Sequence, residues 1–126
     1  MVQLVSASRA QCASYSSDRA NTLKDAKVRQ ATRIQEIKYA LATSGFEALD
    51  EQSKILGISR STTWTILRAN HKASGLSAKT INRILSAPQL PPLVRVTVLR
   101  YVEEKTAGRY GDSKTRIRQF ANRVHA

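Results

Sequence analysis

The chain has 126 residues, of which 41% are hydrophobic and 24% charged, a composition that fits one folded domain with short extensions and excludes a disordered polyampholyte. Against 9 Asp and Glu stand 21 Lys and Arg, a formal net charge of +12 at pH 7 that selects a polyanionic partner through long-range attraction and counterion release. Aromatic residues make up 6%, few for a protein that stacks single-stranded bases, and the lone Cys12 excludes an internal disulfide framework.

Residues 1–21, with Ser6, Ser8, Ser14, Ser16 and Ser17 and no sustained apolar period, read as a flexible N-terminal arm. Met1 to Val5 is too short for a signal-peptide core, and no apolar run approaches the ~20 residues that span a bilayer. Thr22 and Asp25 have the spacing of a capping box. It would open a first helix with Val28, Ile34, Ile37, Ala40 and Leu41 inward, ended by Gly45. Ser44 and Glu47 form a second box, before a helix whose inner stripe is Phe46, Leu49, Ser53 and Leu56 and which Gly57 breaks. Ser59 caps a third helix running to about Ala69, with Ile66 and Leu67 inward.

After a polar loop, Ser77 caps a fourth helix built on Ile81, Ile84 and Leu85 and stopped before Pro88. Pro91 and Pro92 suit the first turn of a fifth, which runs through Leu93 to Val102 and stops at Gly108. A last helix, Ser113 to Val124, carries Ile117, Phe120, Ala121 and Val124 on one face. No strand alternation appears. The expectation is an all-α chain of five to six helices, divided into the arm (1–21), a central domain (22–108) and a basic C-terminal helix or tail (109–126).

Function is concentrated in the stretch from Gln52 through Val102, which holds no acid while Lys54, Arg60, Arg68, Lys72, Lys79, Arg83, Arg95 and Arg100 are basic. Ordinary surfaces mix signs, so this composition belongs to a face turned toward an anion. At its start lies the spacing of a helix-turn-helix. Ser53 is a small residue in mid first helix, Leu56 precedes the turn, Gly57 sits where the chain reverses, Ile58 follows it, and Ile66 is an anchor eight positions on.

Leu-Gly-Ile-Ser-Arg-Ser-Thr at 56–62 and Ser-Ala-Lys-Thr-Ile-Asn-Arg-Ile-Leu at 77–85 resemble the lambda-repressor/Cro-like helix-turn-helix superfamily, over residues 30–105. Leu49, Gln52 and Thr63 depart from its usual residues. The resemblance implies a lambda-repressor-like domain that places helix 59–69 in the major groove of double-stranded DNA.

On that helix, positions 60, 61, 64, 65 and 68 share the side away from Ile58, Thr63, Ile66 and Leu67. Arg60 is the leading candidate for base readout, since its fork matches the O6/N7 edge of guanine. Ser61, Trp64, Thr65 and Arg68 are the other candidates, Thr65 being suited to a thymine methyl, Arg68 open between base and phosphate, and Trp64 open between this face and the core. Gln52, Ser59, Lys72 and Lys79 are candidate phosphate contacts.

Cys12, His71 and His125 lack metal-ligand spacing, and no phosphate loop, nucleophile elbow or converging carboxylate pair is legible; no cofactor and no catalysis are expected. The fifth helix is apolar on two faces. Val94, Val98, Tyr101 and Val102 are therefore the expected contacts of a homodimer, unless the last helix folds back over that face; the resemblance implies the same pairing element. A charge at Val98 is then expected to separate the copies without unfolding them. The reading is a cytoplasmic, nucleoid-associated, sequence-specific double-stranded-DNA-binding transcriptional regulator of bacterial or phage type, such as a repressor. Alternatives on the same scaffold are an antitoxin holding its toxin through residues 1–20, a low-specificity architectural DNA binder, and an adaptor that binds protein through the fifth helix.

Overall fold

A computed structural model describes residues 15–69 and 75–125, with the side chains of residues 23–68 and 75–125. Among the described residues the structure is all helical, without strands. Helix α1 is Tyr15–Thr43, α2 is Leu49–Leu56, and α3 is Arg60–Trp64, continued by a wider π turn over Thr65–Ala69. Helix α4 is Ala78–Leu85, α5 is Pro92–Thr106 and α6 is Lys114–Arg123. None of them is long and apolar enough to cross a membrane.

Most boundaries have a cause within one turn. Ser59, Ser77 and Ser113 cap α3, α4 and α6, their hydroxyls accepting from the amides of Thr62, Thr80 and Arg116, donors that a helix start would otherwise leave unsatisfied. Gly57 closes α2 at φ 71°, a left-handed conformation open to glycine at little cost. Pro92 takes the first turn of α5, where no amide donor is required.

Two boundaries differ from the sequence reading. Helix α1 begins at Tyr15, so Thr22 and Asp25 lie inside it and positions 15–21 of the expected arm are helical; residues 1–14 are outside the described residues. Extension is cheap once a helix is nucleated, and no Gly or Pro interrupts the chain from Tyr15 to Thr43. Val28 is exposed, because the inward line of α1 runs Gln30, Ile34, Ile37 and Leu41, half a turn away from it. Helix α2 starts at Leu49 behind Ala48, which makes no side-chain cap. Ser44 and Glu47 form no box: the Ser44, Gly45 and Phe46 amides bond to Ala40, Ala42 and Leu41 carbonyls and so finish α1.

Helices α1 and α5 pack along each other; the π turn lies against α1, and α4 touches α2, α5 and α6. Ile37, Leu41, Leu56, Leu67, Ile81, Ile84, Val94 and Val98 are sealed in this core. That placement corrects the expected dimer face. Val94, Val98, Tyr101 and Val102 are all buried inside the protomer, and the row of α5 that faces outward is Leu93, Val96 and Leu99, 45%, 53% and 40% exposed. Nor does α6 cover that row: it packs on the other side of α5, where the Lys105 ammonium sits 5.3 Å from the Phe120 ring.

The interior also holds polar groups, each with a partner. Tyr101 Oη accepts from the Leu76 amide at 2.9 Å and donates to Gln30 Oε1 at 3.3 Å, and burial pushes its phenol well above the usual range. Buried Lys105 lies 3.2 Å from Asp112 Oδ2; burial pulls its ammonium below the usual value even so. Around Tyr101 the backbone comes very close. A Cβ at Gly75, whose φ is 72°, would stand 2.1 Å from Tyr101 Oη and 2.6 Å from Gln30 Oε1. Gly75→Ala is expected to cost about 2–4 kcal/mol in chemical denaturation, from left-handed strain plus overpacking. The same change in a Tyr101→Phe background should cost less than the sum of the two single losses, since the clashing oxygen is gone. Strict additivity would show that the Tyr101 hydroxyl contributes nothing to the loss, leaving it to the left-handed strain and the contact with Gln30.

Candidate nucleic-acid interface

The junction of α2 and α3 is built by short-range bonds. Buried Ser53 donates its hydroxyl to the Asp50 carbonyl at 2.9 Å, and its own carbonyl accepts from the Gly57 and Ile58 amides at 3.0 and 3.2 Å. These bonds hold the reversal between the two helices. Leu56 and Leu67 close its inner side together with Thr63, which stands where an aliphatic residue is expected. Thr63 tolerates complete burial because its hydroxyl donates to the Ser59 carbonyl at 2.9 Å, leaving no polar atom unsatisfied.

With that side sealed, Arg60, Ser61, Trp64 and Arg68 stand on the exposed side of residues 59–69. Trp64 is 50% exposed, which settles its side: it is not a core residue. Thr65 is half-buried and its hydroxyl is bonded back to the Ser61 carbonyl at 3.0 Å. Arg60 Nε lies 3.0 Å from Asp50 Oδ1, but with the side chains 69% and 67% exposed this pair contributes less than about 1 kcal/mol and is readily exchanged for another anion. Arg68 is more firmly placed. It donates to the Glu47 carbonyl at 3.1 Å and to Gln52 Oε1 at 3.4 Å, tying the end of the π turn to the start of α2.

Among the candidate phosphate contacts the structure separates three cases. Ser59 is exposed, with its hydroxyl accepting from the Thr62 amide and donating to Thr62 Oγ1 at 2.7 Å. Lys79 is exposed near the start of α4. Gln52 is corrected: it is buried, its Nε2 donates to the Phe46 carbonyl at 3.0 Å and its Oε1 accepts from Arg68, so it is an internal strut with no atom for a phosphate. Its position on the inner side of α2 follows from helical spacing, since it is one turn before buried Leu56 and adjacent to buried Ser53. Lys72 lies outside the described residues.

One charged cluster had no signal in the sequence. Glu104 on α5 accepts from Arg29 Nη2 at 3.0 Å, Arg33 Nε at 2.8 Å and Tyr110 Oη at 3.2 Å, and Arg33 and Arg100 also reach Glu36. The arginines of α1 are 75 and 71 positions from Glu104, beyond any local pattern. They are engaged by carboxylates, which sets them apart from the exposed Lys54 and Lys79.

No protein-family model matches the chain, and no curated protein or solved structure is significantly similar to it.

Proposed function

We propose that this chain is a sequence-specific double-stranded-DNA-binding regulator of the lambda-repressor/Cro-like helix-turn-helix type, which lays α3 in the major groove. The observation that carries this reading is the split of residues 59–69. Thr63 and Leu67 are sealed on one side, while Arg60 and a half-exposed Trp64 stand on the other, in a stretch without acids from Gln52 to Val102. A large aromatic left exposed beside cations marks a contact surface more often than an idle one.

Each side chain then has a role set by what already holds it. Arg60 gives up a solvent-exposed partner at little cost and reads guanine bidentately. Trp64 supplies the apolar contact to a thymine methyl, and Ser61 and Thr65 complete the face. Arg68 keeps its bonds to Glu47 and Gln52 and holds the angle of α3 against α2, so it positions the helix for reading. Ser59 and Lys79 touch phosphate and set the register without carrying sequence information. Two copies pair through the outward row Leu93, Val96 and Leu99 and read a near-palindromic site with half-sites ~34 Å apart.

The test is selection from random duplex DNA at ~150 mM salt, where non-specific attraction is weakened. An enriched motif with two related half-sites is the expected result; retention without a motif, or no retention, overturns the reading. On the selected site Arg60→Ala is expected to cost ~1–3 kcal/mol and to relax one G·C position. An equal loss on random duplex would reassign Arg60 to a phosphate.

A further inference from the structure

The last helix is basic throughout: after Asp112 the chain has no acid, while Lys114, Arg116, Arg118 and Arg123 follow. Two of these side chains are brought to a particular place. A groove between the start of α4 and α6 is lined by Leu76, Lys79, Arg116, Gln119, Phe120 and Arg123. Its two walls are fastened to each other, since Asn82 on α4 donates to the Arg123 carbonyl at 2.8 Å and accepts from the His125 amide at 2.7 Å. The groove is thus a fixed feature of the packing of α4 on α6.

Its charge is uncompensated. The acid in the groove, Asp112, is engaged by Lys105 at 3.2 Å and by Lys27 at 3.8 Å. Among the described residues no carboxylate lies within ion-pair distance of Lys79, Arg116 or Arg123. Three exposed cations from two helices therefore converge on one concave surface and repel one another, and an anion seated between them relieves that repulsion. Side chains supply the charge here; the first turn of α4 is already capped through the Thr80 amide by Ser77. Two of the three are guanidiniums, whose planar fork matches the oxygens of a phosphate better than an ammonium does.

We propose that the groove between α4 and α6 is a phosphate-binding site, in which Lys79, Arg116 and Arg123 hold the oxygens of one phosphate group. Under the DNA-binding reading above, on which this source depends, that group is a backbone phosphodiester of the bound duplex, and α6 extends the contact beyond α3. A free phosphate is the other source of the same chemistry.

The double variant Arg116→Gln/Arg123→Gln tests the site in the full chain, with Lys114→Gln/Arg118→Gln as a control that removes the same charge from α6 outside the groove. Both pairs are exposed, so melting temperatures should match the parent. Binding to the selected duplex is followed over a salt series. The groove variant is expected to reduce the slope of log K against log salt by about 1 for each phosphate it no longer holds, and the control by less. In parallel, inorganic phosphate is titrated while the amide resonances of residues 75–79 and 116–123 are observed, with chloride at equal ionic strength as the blank.

A reduced slope assigns the site to the DNA backbone. An unchanged slope with phosphate-specific shifts that the groove variant abolishes keeps the site and assigns it to a free phosphate. An unchanged slope and no such shifts overturn the proposal while leaving the DNA-binding reading intact. If no duplex is bound at all, that reading fails by itself, and the phosphate titration still decides the groove.

Discussion

Val98→Glu is expected to abolish the cooperative thermal transition or to lower it by tens of degrees, while Val96→Glu, two positions away on the same helix, leaves the fold intact. Val98 has no exposed surface in the packing of α5, whereas Val96 is more than half exposed. A glutamate at 98 overfills a sealed position and places a carboxyl in the hydrophobic core. Its ionised form is expelled by desolvation, and even its neutral form loses hydrogen bonds to water, at a cost of about 4 kcal/mol or more. That is a large share of the roughly 5–15 kcal/mol by which domains of this kind are stable.

At 96 the carboxylate stays in water and stability changes by less than about 1 kcal/mol. Circular dichroism melts of the two variants read this difference directly; a folded Val98→Glu protein would show that the inward face of α5 is misplaced. Sedimentation of Val96→Glu then examines the pairing. Under the proposed pairing the parent sediments as a dimer and Val96→Glu as a monomer, and an unchanged dimer would remove the row Leu93, Val96 and Leu99 from the interface.

The second large effect is at Glu104, whose side chain is 12% exposed between α1 and α5. Arg29, Arg33 and Tyr110 all donate to it, and these bonds hold its carboxyl down at about 2. Glu104→Gln keeps the shape and removes the charge, leaving Arg33 and the Tyr110 hydroxyl facing a poorer acceptor in a largely buried place. Arg29 is 43% exposed and adds little to the loss, because water screens it. A destabilisation of about 2–3 kcal/mol at neutral pH is expected from the removal of one partner in a mostly buried network.

The pH dependence distinguishes charge from packing. Because the carboxyl is depressed from its ordinary 4.5 to about 2 in the folded protein, its contribution is fully present above about 4.5 and is lost as pH falls toward 2. The stability gap between parent and Glu104→Gln should accordingly be constant from about pH 7 to 5 and close by about pH 2, as read by urea unfolding across that range. A gap that persists undiminished at the acid end would mean that the variant fails by packing and not by charge.

What the chain alone determined lies within a turn or so of each residue. Serines three residues ahead of an unsatisfied amide cap α3, α4 and α6, a glycine at positive φ ends α2, and a proline begins α5; each depends on neighbours three or four positions away, so no knowledge of the rest of the molecule is needed. The all-helical class and the acid-free basic stretch are legible in the same local way.

Tertiary packing decided whatever required choosing between equivalent local patterns. Helix α5 has two apolar rows of the same period, and only the docking of α1 determines that Val94, Val98 and Tyr101 go in while Leu93, Val96 and Leu99 stay out. Trp64 is large and mostly apolar, a residue type often found in cores, and it is Thr63 and Leu67 filling the inner side that leave it in solvent. The Glu104 cluster and the cationic groove join residues tens of positions apart, Arg29 with Glu104 and Lys79 with Arg123. Hydrophobic periodicity and capping act along the chain, whereas burial and charge pairing act through space, and only the folded helices bring those distant groups together.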